Sequence, residues 1–115
     1  MSQPTKLVVV WTNSDRDAAI RMAFMYTLNS KLKEWWDQVS LIIWGPSAKL
    51  LAEDSTLQEY IGKIKEAGVE LLACKACADS YGVSDVLENM GITVKYTGQA
   101  LTDFLKDETT RVITV

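Results

Sequence analysis

The sequence predicts an α/β fold built on a parallel sheet, and two observations predict it. Five short apolar runs, at residues 7–11, 39–44, 69–73, 92–96 and 112–115, are separated by longer amphipathic segments. The first, second and last runs are nearly unbroken stretches of apolar or β-branched residues, the pattern of strands covered on both faces. Strands that alternate with helical segments are joined by crossovers, which makes neighbouring strands parallel.

Each connecting segment carries its own punctuation. After the first run, Ser14 or Asp15 supplies a side-chain oxygen to cap a helix. Ala18, Ala19, Met22, Ala23, Met25, Tyr26 and Leu32 fall near helical spacing and predict an apolar face packed on the sheet. The methionines read as gap-filling core residues. Trp35 and Trp36 stand just before the second strand, and in an extended chain both cannot point inward; one is a candidate for an interface or a ligand wall.

Gly45, Pro46 and Ser47 form a turn, with Ser47 expected to cap a short segment at 48–51. A cap at Asp54 or Ser55 opens a helix through Leu57, Tyr60, Ile61 and Ile64, which Gly68 stops. Ser84 is expected to cap a short helix at 85–90, and Thr97 to cap a last helix at Gly98–Lys106. The strand at 112–115 is expected to be buried, so that trimming it damages folding.

Composition narrows the functional classes. A chain of 115 residues makes one domain, 1–115, with 48% hydrophobic and 23% charged residues, as globular proteins have. A formal charge of −3 argues against a nucleic-acid surface, which needs clustered lysine and arginine. The apolar runs are too short to span a bilayer and no signal-peptide layout is visible, so a cytoplasmic, membrane-free protein is expected. In that compartment thiols stay reduced, and a cysteine pair reads as reactive or metal-binding rather than structural.

The only two cysteines are Cys74, at the end of the third run, and Cys77, in the first turn of the helix that follows; there is no histidine. In open α/β sheets the functional crevice lies beyond the carboxyl ends of the strands. Free N–H groups there stabilise an anion and lower a thiol's pKa, and Lys75 adds positive charge if it folds back. A thiolate at this place is a nucleophile for sulfur transfer or disulfide exchange. The competing reading is small-residue packing where a helix meets the sheet. Zinc is disfavoured because two thiolates are half the usual ligand set. A thioredoxin-type motif is disfavoured because both prolines, Pro4 and Pro46, precede the cysteines.

The first strand-to-helix turn, with Trp11, Asn13, Ser14 and Asp15, has no glycine and so neither dinucleotide fingerprint nor P-loop. Asn13 and Ser14 read as capping residues that can also line the Cys74 crevice, together with Trp11 and Trp44.

With these features placed, the chain resembles the DsrE family, also called DsrE/DsrF-like, of small sulfur-relay proteins. The resemblance rests on the first strand with its Thr-Asn-Ser turn, on Gly-Val-Glu-Leu-Leu-Ala-Cys at 68–74, on the Cys-x-x-Cys-x-x-x-x-Gly form at 74–82, and on the terminal Thr-Arg-Val-Ile-Thr-Val. It implies a three-layer α/β/α fold with a five-stranded parallel sheet, and assembly as trimers or hexamers. It also implies that Cys74 carries sulfur as a persulfide between donor and acceptor proteins; Cys77, a second thiol that many members lack, is expected to assist, and no cofactor or metal is expected. The alternative is a non-catalytic oligomeric module that binds a small ligand in a crevice formed by Trp11, Asn13, Trp44 and the cysteines.

Overall fold

A computed structural model of the chain describes residues 3–115; Met1 and Ser2 of the expected 1–115 domain lie outside the described residues. Its one sheet contains β1 (Lys6–Trp11), β2 (Gln38–Ile43), β3 (Glu70–Cys74), β4 (Thr93–Lys95) and β5 (Thr110–Thr114). All neighbours are parallel, in the order β4-β3-β2-β1-β5. The predicted α/β class with a five-stranded parallel sheet flanked by helices is what is observed.

Between β1 and β2, α1 (Arg16–Ala18), a π-helical stretch (Ala19–Phe24) and α2 (Met25–Leu32) run on without leaving helical backbone. The other helices are α3 (Pro46–Glu53), α4 (Ser55–Glu66), α5 (Lys75–Tyr81), α6 (Ser84–Asn89) and α7 (Gly98–Lys106). Asp15 caps α1 by accepting from the Ala18 N–H at 3.1 Å. Asp54 caps α4 by accepting from the Leu57 N–H at 3.1 Å, and its other oxygen accepts from Arg16 Nε at 2.7 Å. One carboxylate thus joins two helix starts.

Strand alternation divides the core in two. Leu7, Val9, Trp11, Leu41, Ile43, Leu71 and Ala73 face α1–α6, meeting Phe24, Leu51, Leu57, Ile61, Ile64, Ala78 and Leu87. Val8, Val10, Ile42 and Leu72 face the opposite way, where Leu101 and Phe104 of α7, with Trp44 and Val112, cover them. Only the inner strands are buried on both faces, which is why their sequences are nearly unbroken apolar runs.

Several local expectations change. The second strand ends at Ile43, with Trp44 just beyond it, and the fourth shortens to Thr93–Lys95. β5 is an edge strand, half-buried through Val112 and Ile113 rather than buried. Met22, Met25 and Leu32 are exposed, against the expected packing. The π-helical stretch adds a residue to a turn and shifts the inward positions to Ala19, Ala23, Phe24, Thr27 and Ser30. Of the tryptophans, Trp36 packs on the core and donates from Nε1 to Tyr26 Oη at 3.3 Å, while Trp35 is exposed.

Ser47 is not a cap. Gly45 holds the capping position of α3, and Ser47 Oγ donates to the carbonyls of Trp11 (2.7 Å) and Trp44 (3.2 Å). Ser84 likewise donates to Asp79 instead of capping α6. Thr97 stands at the start of α7 but its side chain makes no capping bond.

Candidate thiol site

Alternation along β3 decides where Cys74 points. Leu72 belongs to the α7-facing core, so Cys74, two residues on, faces the same side at the strand's carboxyl end. It is paired in register with Lys95 of β4. On the other side, one step past the Ile43–Ala73 pair brings Trp44 beside it on that face. Thr97, two residues beyond Lys95, leads into α7.

Cys74 is buried, and Cys77 is half-buried; both are free thiols. Burial alone pushes the Cys74 thiol up, because a charged sulfur loses its water. Against this act the Cys77 N–H, the Cys77 thiol, the Thr97 hydroxyl and the Ala76 N–H, and the net result lies below the ordinary cysteine value. Cys77 goes the other way. Burial raises it first, its bond to Cys74 and the charge there raise it further, and the Gly45 N–H offsets only part. Of the two thiols the arrangement makes Cys74 the easier to ionise and Cys77 the one that keeps its proton longer.

Gly45 reaches Cys77 because of its backbone. With φ 80° and ψ −144° it occupies a region essentially closed to other residues. That bend turns the β2–α3 loop back over the start of α5.

The remaining expected residues divide. Lys75 does not fold back over the sulfur; its ammonium lies 2.9 Å from Asp79 Oδ2, one turn further along α5, where the opposite charge is nearer. Trp11 points to the other face of the sheet, fully buried and edge-on to Phe24 at 4.8 Å, so it cannot line a crevice at Cys74. Asn13 turns its Oδ1 to the Asp15 N–H at 2.9 Å. Ser14 borders a depression of about 390 Å³ with Pro46, Lys49, Leu50, Glu53 and Tyr81, a lining that contains neither cysteine. Another, of about 420 Å³, lies among Lys31, Glu34, Trp36 and Asp37, just before β2 and so at the opposite end of the sheet from Cys74. Of the expected set, Cys74, Cys77 and Trp44 come together. Thr97 was missed, since a threonine before a helix reads as a cap.

Fold and site together define a small α/β protein with a candidate reactive thiol at a strand end. The DsrE/DsrF-like family model matches residues 6–115, and the chain belongs to that family, which is related to sulfur relay. A solved structure of a conserved protein of unknown function, BT1422 from Bacteroides thetaiotaomicron, is 37% identical over 96% of this chain and 95% of that one, with a TM-score of 0.92. The ychN protein from E. coli, 15% identical over 100% of both chains at a TM-score of 0.70, shares the fold. No curated protein matches the chain. Among the described residues no helix is long and apolar enough to cross a membrane.

Proposed function

We propose that the chain is a persulfide carrier in a sulfur relay, with Cys74 as sulfur acceptor and Cys77 assisting. The observation that carries this reading is the place of Cys74, at the carboxyl end of β3 and the start of α5, where the N–H groups of Cys77 and Ala76, the Cys77 thiol and the Thr97 hydroxyl act as donors that pull its pKa down in spite of burial. A thiol that serves only as packing gains nothing from such donors.

In the loading step the Cys74 thiolate attacks the outer sulfur of a donor protein's persulfide. A new S–S bond forms on Cys74, the donor's S–S bond breaks, and the donor leaves as a thiolate. In delivery an acceptor nucleophile takes the outer sulfur and Cys74 returns to thiolate. If no acceptor arrives, the Cys77 thiol can attack the inner sulfur, which gives a Cys74–Cys77 disulfide and expels hydrosulfide with the thiol's proton. A dithiol reductant then restores the pair. No metal or cofactor enters these steps.

The donor and acceptor are proteins in this reading, and the compartment is the reducing cytoplasm. Assembly into a homo-oligomer, a trimer or hexamer, would cover exposed Met22, Met25, Leu32 and Trp35, side chains that a monomer leaves in water. Incubation with a persulfidated donor followed by intact-mass measurement tests the function. The wild type should gain one sulfur and Cys74→Ala none; a wild type that gains none contradicts the proposal.

A further inference from the structure

Thr97 is 1% exposed, and its hydroxyl oxygen has no hydrogen-bond partner. A buried hydroxyl without a partner costs roughly 1–3 kcal/mol, so its retention calls for a reason. It does not cap α7, at whose start it stands. Lys95, two residues before it, is paired with Cys74 across the β3–β4 edge, which brings Thr97 to the Cys74 end of β3, and its hydroxyl is among the groups that lower the Cys74 thiol. A neutral thiol is a poor acceptor and leaves the hydroxyl unsatisfied, whereas an anionic sulfur is a strong one.

We infer that Thr97 is a positioning residue for the sulfur on Cys74, its hydroxyl donating to that sulfur whenever it is anionic. This rests on the reading of Cys74 as the reactive thiol and assigns Thr97 a part in it. Thr97 fixes the thiolate's direction from the α7 side, while the N–H groups of Ala76 and Cys77 favour the anion from α5. The same donor serves the thiolate that attacks in loading and the thiolate regained after delivery, so both ends of the carrier cycle are stabilised.

The test compares Thr97→Val, which keeps the shape and removes the hydroxyl, with Thr97→Ser, which keeps the hydroxyl. Alkylation of Cys74 by iodoacetamide is followed across pH by peptide mapping in the full chain. The other ionisable groups nearby are Cys77 on α5, Lys95 on β4, Tyr96 just before Thr97, and Lys75, which is held to Asp79 and also felt by Tyr96 and by Glu88 of α6. All are the same in both variants, so a moved profile reports the hydroxyl.

Thr97→Val should move the profile to higher pH and slow alkylation at neutral pH about tenfold, the effect of losing one charge-assisted hydrogen bond. Thr97→Ser should stay near the wild type. An unchanged Thr97→Val profile overturns the inference, as does a Thr97→Ser profile that moves as far as the valine one. If valine prevents folding, Thr97→Ala removes the same hydroxyl and is held to the same two outcomes. Alkylation needs no sulfur donor, so it reads this contact even if Cys74 takes up no sulfur in the loading experiment.

Discussion

Cys74 and Cys77 lie one helical turn apart and are driven in opposite directions, the first toward thiolate and the second toward thiol. Each is a cause of the other's shift, so their protons come off as a coupled pair. Removing either should therefore be felt by the one that remains. Cys77→Ala takes a donor from Cys74, and alkylation of Cys74 at neutral pH should slow several-fold. Cys74→Ala removes two of the influences that raise Cys77, whose alkylation profile should move to lower pH. Pseudo-first-order alkylation with peptide mapping checks both; two unchanged profiles would mean that the sulfurs act independently.

Gly45 links the β2–α3 loop to Cys77 through its N–H. A methyl group there would stand 3.5 Å from the Thr12 carbonyl oxygen, an ordinary contact, so space is not the obstacle. The backbone is. Gly45→Ala should destabilise the fold by about 1–3 kcal/mol in urea unfolding, the cost of an alanine in this region of φ and ψ. It should also raise Cys77 further, because the relaxed loop turns the N–H away. A Gly45→Ala protein as stable as the wild type would show that the bend is not required.

Three carboxylates set the acid side of the stability profile. Asp54 is held below the ordinary value of 3.8 by Arg16 and the Leu57 N–H, Asp79 by Ser84 and Lys75, and Asp107 by the N–H and hydroxyl of Thr109. Their folded values lie below the unfolded one, so their contribution is complete above 3.8 and is lost as pH falls through the folded values. Urea midpoints should stay level with respect to these groups from neutrality down to about pH 4, then drop. Asp54→Asn should make that drop shallower, and added salt should do the same, since Asp79 is exposed and Asp54 and Asp107 are only half-buried. A drop equally steep in Asp54→Asn would remove this group from the account.

The strands were legible because burial on both faces leaves an unbroken apolar run, and β1, β2 and β3 have that environment. The edge strands were legible in place but not in extent. Val112 and Ile113 look like core residues in sequence, and only the sheet order makes them half-buried. Cys74 was legible as a strand-end thiol, since that needs only the end of an apolar run. Trp11 was misjudged because the face of a strand residue depends on register with its neighbours. Lys75 was misjudged because a carboxylate one turn away, Asp79, captured it. The π-helical stretch has no sequence signal of its own, and it is what turns Met22 and Met25 outward. Thr97 had a signal, but the wrong one: the same residue type serves as a cap or as a donor to a neighbouring strand.

Leu41 sits at the centre of the sheet, fully buried, whereas Leu32 is 61% exposed. Leu41→Ala should cost about 2–5 kcal/mol, by lost burial and the cavity left behind. Leu32→Ala should change the stability of the isolated chain by less than about 0.5 kcal/mol. Urea unfolding at low protein concentration separates the two. A larger effect at Leu32 would show that α2 is covered in the folded unit, as it would be at an interface between copies.

In the proposed relay, sulfur travels on Cys74. Peptide mapping of the wild-type chain, alkylated immediately after exposure to a persulfidated donor, locates the added sulfur. The added sulfur is expected on Cys74, with Cys77 carrying none and Cys74→Ala remaining unmodified. Wild type without any added sulfur, or Cys74→Ala loaded on Cys77 to the wild-type level, would contradict it.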